Sequence, residues 1–487
     1  MIRRFLAPIL AVGMIAGCSS GTPPTGRPTG EPAGTPTGGT AKTNIVMVLT
    51  DDLATNLVAY MPHVQALAKQ GTTFADYTVT DSLCCPSRSS IFSGRFPHDT
   101  GVYTNGGSDG GFQTFKSRGE ESSTFATDLQ KAGYRTAMMG KYLNGYLPKD
   151  KYVPPGWNEW DVAGNGYPEY NYNLLENGQI KHYGHDYLTD VVSARASSFI
   201  TGSVSAGKPF LVEVATFAPH APYTPDDPDK DKFPGLKAPR TVAYDVLPSD
   251  PPPWLAARKP LTAAEQTAID TAFRKRVQAV QAVDRMIGSL QDTLDRAGVA
   301  DHTVVVFTSD NGYHMGEHRM MPGKMTAYDT DIHVPLIVTG PGVPAGRVIS
   351  QLASNIDLNP TFETLAGLTV PADVDGHSLV RLWHGQQPAN WRRSILIEHH
   401  GPDHARGDPD RQAGESADPP SYEAVRTASA LYVLYANGRQ EYYDTARDPL
   451  ELDNIAWLGV PASLKKALTA LENCHSGASC WAAAHLH

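Results

Sequence analysis

Cysteine is scarce in this chain. Five occur in 487 residues, and no two stand in a C-x-x-C pair. That excludes a scaffold built on disulfides and gives no sign of structural zinc. Positive charge is also short: 41 Lys and Arg face 51 Asp and Glu, a net charge of −10. A general nucleic-acid binder would be basic, so no nucleic-acid partner is expected. Beyond the first segment, no apolar run is long enough to cross a bilayer. Core-forming material is present, at 41% hydrophobic, which excludes a disordered protein. The length suggests roughly two to three domains.

The N-terminus reads as a signal sequence over residues 1–17. Arg3 and Arg4 precede a short apolar stretch from Phe5 to Ile15. Ile15-Ala16-Gly17-Cys18 resembles a bacterial lipoprotein cleavage box. Cleavage before Cys18 and lipidation of its thiol would tether the protein to a membrane. Residues 18–41 are Gly, Pro, Thr and Ser for the most part and read as a flexible linker behind that anchor. The expectation is an exported protein held at the cell surface or envelope membrane. In an oxidising compartment Cys474 and Cys480 are expected to pair.

Four apolar runs end in chemically capable residues. Ile45-Val46-Met47-Val48-Leu49 leads into Asp51-Asp52, and Val304-Val305-Val306-Phe307 leads into Asp310-Asn311-Gly312. Phe210 to Phe217 leads into His220, and Arg135 to Met139 into Gly140-Lys141. Continuous apolar runs suit strands buried on both faces, as in parallel sheets, whose ligands bind at the strands' carboxyl ends. If the four are neighbours, Asp51, Asp52, Asp310 and Asn311 form an all-oxygen cluster that would repel itself without a cation. Oxygen ligands select a hard ion, Ca2+ or Mg2+, over zinc. Thr262-Ala263-Ala264-Glu265 is a capping box. Apolar residues then recur from Ile269 to Leu294 at helical spacing, and Gly298 stops the helix. Residues 221–261, rich in Pro and Asp, read as an irregular excursion over the ligand end of the sheet.

The most informative stretch is Cys84-Cys85-Pro86-Ser87-Arg88, continuing to Gly94-Arg95. Pro86 suits the first turn of a helix and Gly94 its end. Cys84 is therefore expected just before a helix N-terminus, where a thiolate is favoured, with Arg88 one turn on. This pattern resembles the motif of the type I, formylglycine-dependent sulfatase family. Asp51-Asp52, Gly140-Lys141, His220, Asp310-Asn311-Gly312 and Lys324 follow in that family's order. So do Ile356-Asp357-Leu358, Asp375-Gly376-His377-Ser378-Leu379 and Tyr442-Tyr443-Asp444 with Asp448-Pro449. The double cysteine and Gly140-Lys141-Tyr142-Leu143-Asn144 look most like the N-acetylglucosamine-6-sulfatase and extracellular sulfatase branch.

The resemblance implies that a maturation system oxidises Cys84 to formylglycine, whose hydrate offers one hydroxyl to attack sulfur and a second to expel sulfate. It implies a cation held by Asp51, Asp52, Asp310, Asn311 and residue 84. Arg88, Lys141 and Lys324 would balance charge on the sulfate, and His220 would stand near the leaving group. The implied substrate is a sulfated carbohydrate, with aryl sulfates as surrogates. A phosphate or phosphonate monoester hydrolase on the same fold is the alternative enzyme, and a glycan-binding lipoprotein without turnover the alternative class. Many relatives carry a histidine after the Gly-Lys pair, and this chain does not. His314 is the candidate to replace it, with His318 nearby. Cys85 is read as a small buried residue. Glu398-His399-His400 with His404 and Arg406 is either a pocket rim or a solvated loop. The implied fold is α/β, an alkaline-phosphatase-like sandwich around a large, mostly parallel sheet. A catalytic domain over 42–384 is expected, then a smaller C-terminal α+β subdomain over 385–487. Residues 394–397, 431–434 and 441–443 would be the subdomain's strands.

Overall fold

Alternate residues of the first apolar run enter two different cores. Ile45, Met47 and Leu49 belong with Phe92, Phe115 and Phe125 on one side. Val46 and Val48 belong with Phe273, Val277 and Val280 on the other. A strand apolar on both faces is stable only inside a covered sheet. The structure, a computed structural model, describes residues 42–386, 388–402 and 416–485. Cys18, with the whole signal and linker, lies outside the described residues, as do His404 and Arg406.

Strand Asn44–Thr50 lies between Phe210–Ala215 and Thr303–Ser309, parallel to both. Arg135–Lys141 lies parallel on the far side of Phe210–Ala215. These strands are the centre of a ten-stranded sheet that becomes mixed toward its edges, where antiparallel pairs appear. The expected α/β sandwich is therefore present, with its parallel part where the site residues are. Two expected ends shift. The Phe210 strand stops at Ala215; Thr216 N–H still donates to the Leu49 carbonyl at 2.9 Å, and beyond it Pro219 has no N–H to offer a ladder. The Arg135 strand instead runs on through Lys141, which brings that lysine to the strand's last position.

Helix Ala263–Arg296 covers one face. Its Thr262–Glu265 capping box forms in both directions, and Ile269, Phe273, Val277, Val280, Val283, Ile287, Leu290 and Leu294 are all buried. Each such side chain contributes roughly 1.5–3 kcal/mol of burial relative to exposure. Leu188–Ser205 shares that face; Cys84–Ser93, Phe125–Lys131 and Leu358–Leu365 belong to the other. Beyond the large sheet, strands Ser394–His399, Tyr422–Thr427, Leu431–Tyr435 and Gln440–Tyr443 form an antiparallel sheet of their own. Helices Ala462–Leu471 and Gly477–Ala483 cover it, and Cys474 and Cys480 are joined in a disulfide beside them.

Candidate active site

Strand register builds the site. Thr50 pairs with Ser309, Leu49 with Ala215, and Gly140 with Ala215. The carboxyl ends of neighbouring strands are therefore level, and Asp51-Asp52, Asp310-Asn311, Lys141 and the turn to His220 meet above them. Asp52 takes a left-handed φ of 63°, which a short polar residue tolerates. Its N–H donates to Asp310 Oδ1 at 3.1 Å, and Arg276 donates to its carbonyl.

Cys84 hangs over this floor from the helix Cys84–Ser93, every residue of which is buried. The helix starts at Cys84 itself and not just after it, so Cys84 is its first residue, and Pro86, its third, lies in the first turn as expected. Pro86 fits there because the first four helical N–H groups lack intrahelical partners anyway. Gly94 ends the helix with φ 72°, as expected. Cys84 Sγ donates to Asp51 Oδ1 at 3.2 Å and receives Lys324 Nζ at 2.8 Å. The same Nζ donates to Asp52 Oδ1 at 2.6 Å, and Lys141 Nζ donates to Asp51 Oδ2 at 2.6 Å. Arg88, one turn along, reaches Asp310 Oδ2 through Nε at 2.7 Å and the Lys141 carbonyl through Nη1 at 2.9 Å. Cys85 is a buried thiol, not joined to Cys84.

His220 Nδ1 lies 2.6 Å from the Ala221 carbonyl oxygen, which places the ring proton on Nδ1. Nε2 then faces Asp52 Oδ2 at 3.6 Å. Asp51, Asp52, Cys84 and His220 each bring a ligand atom to one place, all within 4.8 Å of one another. Asn311 Nδ2 donates to Asp52 Oδ1 at 2.7 Å, while its Oδ1 is buried with no hydrogen-bond partner among the described residues. An orphaned amide oxygen beside buried carboxylates fits a hard divalent cation.

Charge in the cluster is formally even: Asp51, Asp52 and Asp310 against Arg88, Lys141 and Lys324, all buried. Burial opposes the charge on Arg88, but Asp310, Asp51 and Cys84 together hold its pKa above the usual arginine range. On the neighbouring strand, burial pushes Glu213 up to about 8, with Arg88 pulling it down.

His314 is paired through its backbone with Gly323, beside Lys324, and its ring is held by Asp331. Its Nδ1 lies 3.0 Å from both oxygens of Asp331, and its Nε2 is 3.5 Å from Ser416 Oγ. Among the described residues, no hydrogen bond of His314 goes to Cys84 or to the acids beneath it. His318 bonds the Leu450 carbonyl, and burial lowers its pKa to about 4. His399 is fully buried on its strand, not in a solvated loop, whereas His400 is half-exposed and stacks on Tyr103 at 3.7 Å. Sequence reasoning passed over Arg276, which stands on the buried stripe three residues after Phe273 and four before Val280. A charge on an apolar face was the available signal.

A catalytic floor at the carboxyl ends of parallel strands, with a nucleophile position above three acids and three cations, defines an ester hydrolase of the alkaline-phosphatase-like fold. The sulfatase family model matches residues 43–368, and the model of the N-sulphoglucosamine sulphohydrolase C-terminal region matches 316–473. Human N-acetylglucosamine-6-sulfatase is 33% identical over 479 residues, spanning 91% of this chain and 86% of its own. A solved protein in complex with its substrate D-glucosamine-2-N,6-O-disulfate superposes with TM-score 0.74 at 24% identity, over 88% of this chain and 97% of the other. The phosphonate monoester hydrolase of Silicibacter pomeroyi superposes with TM-score 0.64 at 21% identity, over 88% and 94%. The last two show the fold, which sulfate and phosphonate chemistry share. The chain itself belongs to the sulfatase family, near the N-acetylglucosamine-6-sulfatase branch, and is a sulfuric ester hydrolase.

Proposed function

We propose that the chain removes sulfate from a sulfated carbohydrate, such as N-acetylglucosamine 6-sulfate or glycosaminoglycan units. The contact set of Cys84 carries this reading: one sulfur held between the Asp51 carboxylate and the Lys324 ammonium, in a buried site. The relative at 33% identity and the complex with a disulfated glucosamine support the choice of sugar. Oxidised to formylglycine, position 84 would supply a hydrated aldehyde able both to attack sulfur and to release sulfate. Asp51, Asp52, Asp310 and Asn311 would hold Ca2+ or Mg2+, which would acidify a hydroxyl and polarise S–O bonds. A divalent ion would also turn an evenly charged cluster positive, which suits an anionic ester.

The chain's own groups have separable tasks. Lys324 and Lys141 flank the nucleophile position and can each donate to sulfate oxygens. Arg88 fixes Asp310 and the end of the Lys141 strand while adding positive charge. His220, its Nδ1 committed to a carbonyl, can hold a proton at Nε2 for the departing sugar oxygen. His314 is proposed to act on this site from the Asp331 side. The proposal includes export, as the extracellular sulfatases among the relatives suggest, and a lipid anchor at Cys18. It also includes a catalytic domain over 42–384 with a subdomain over 385–487.

Mass spectrometry of the Cys84 peptide from the native host is expected to show a loss of about 18 Da, the thiol-to-aldehyde change. The matured protein is expected to release sulfate from a panel of sulfated sugars. An intact thiol in that material, or no sulfate release from any sugar, overturns the proposal. Chelation with EDTA is expected to abolish turnover and to lower the unfolding temperature. An ion present at about 100 times its Kd contributes about 2.7 kcal/mol of stability. Refilling with Ca2+ or Mg2+ separately identifies which ion restores both.

A further inference from the structure

Asp81 is a buried acid that the reaction just described does not use. It is fully buried, and among the described residues neither carboxylate oxygen has a hydrogen-bond partner. His399 Nδ1 stands 3.5 Å from its Oδ1, an ion-pair distance without a hydrogen bond. Burial pushes the Asp81 carboxyl well above the usual range; His400 and Lys324 pull it down, and Glu398 pushes it up. Lys324 is the residue whose ammonium touches Cys84. Asp81 stands three residues before Cys84, its neighbour Ser82 is bonded to Thr326, two residues past Lys324, and His399 brings the C-terminal sheet against it.

The backbone around it is pinned. Thr80 N–H donates to Asn355 Oδ1 at 3.1 Å, Ser82 Oγ donates to the Thr326 carbonyl at 2.8 Å, and Glu398 N–H donates to the Thr80 carbonyl at 2.8 Å. The carboxyl is thus held in place without being bonded. A buried acid with no partner costs stability, and natural proteins keep such groups where something else satisfies them.

We infer that Asp81, positioned by His399, is a specificity-determining residue that accepts hydrogen bonds from hydroxyl groups of the sugar carrying the sulfate. The inference rests on the carbohydrate reading above. A site built to bond a substrate hydroxyl discriminates against ligands lacking it far more strongly than an apolar pocket can. Aryl sulfates carry no ring hydroxyls and would not use Asp81. The assignment draws the C-terminal sheet into substrate choice, because His399 is that sheet's contribution.

The test compares Asp81→Ala, Asp81→Asn and His399→Gln with the parent, on N-acetylglucosamine 6-sulfate and on 4-nitrophenyl sulfate. Formylglycine and metal contents are measured and matched. Asp81→Ala is expected to lower kcat/KM for the sugar sulfate by about 10- to 100-fold and to change the aryl sulfate by less than about 3-fold. Asp81→Asn, which keeps an acceptor oxygen, is expected to restore part of the loss. The unfolding temperature of Asp81→Ala is expected to equal or exceed the parent's, since an unbonded buried acid is removed; a purely structural acid would do the reverse. A parent active on both esters, with Asp81→Ala lowering both alike or neither, overturns the assignment alone. A parent that cleaves the aryl ester and no sugar sulfate overturns the carbohydrate reading and this assignment with it.

Discussion

Arg88 does at one position what an ammonium cannot. Its planar fork donates through Nε to Asp310 and through Nη1 to the Lys141 carbonyl, tying two strand ends to one helix. A lysine there would keep the charge and lose at least one of those bonds. Arg88→Lys is therefore expected to leave a buried acceptor unsatisfied and to cost about 1–3 kcal/mol of stability. It is also expected to lower kcat/KM by at least about tenfold, because the Lys141 end and Asp310 would no longer share a tether. Urea unfolding and steady-state kinetics, with modification of Cys84 quantified in each sample, check both. Equal kinetics in parent and variant would mean that the guanidinium supplies only charge.

At the scale of elements, one exacting contact joins strands Arg135–Lys141 and Phe210–Ala215. Gly140 has φ 96°, and a Cβ there would stand 1.9 Å from the Ala215 carbonyl oxygen. Gly140→Ala is expected to force these strands apart, costing at least about 2 kcal/mol. It would also move Lys141, the next residue, and so reduce turnover along with stability; thermal unfolding and sulfate-release assays read the two effects. The central strands could be recognised beforehand because burial on both faces leaves an uninterrupted apolar run, as at 45–49 and 304–307. Strand Tyr422–Thr427 could not, since Glu423 and Arg426 break the pattern and its place is set by partners on both sides. The acids and lysines of the site were legible because each follows such a run or stands in a specific motif. The setting of His314 was not: its partner Asp331 comes from a separate short helix, Asp329–Ile332, that no local pattern links to it. Nor was the burial of His399, which depends on the sheet around it.

For the whole molecule, His98 fastens the C-terminal sheet and helices to the helix that carries Cys84. It follows that helix closely in sequence. Its Nδ1 lies 2.9 Å from Glu398 Oε2 on the C-terminal sheet, and its Nε2 lies 2.7 Å from the Cys474 carbonyl oxygen. Both partners are acceptors, so both ring nitrogens must carry protons. Burial opposes the charge, but the bond to Glu398, that residue's charge, Asp99 and the Cys474 carbonyl outweigh it and push the pKa up to about 9. In the unfolded chain a histidine titrates near its ordinary value of 6.5. The folded value is the higher one, so the stabilisation is fully present below pH 6.5 and is lost as pH rises through about 9. The difference corresponds to at most about 3 kcal/mol. His98→Gln can donate to only one of the two acceptors and does not titrate. The parent is expected to be the more stable protein at pH 6, with the gap closing progressively toward pH 9.5. Unfolding free energies of both proteins across that range decide it: a gap that stays constant would mean that His98 is neutral in the fold and that the attachment does not depend on its charge.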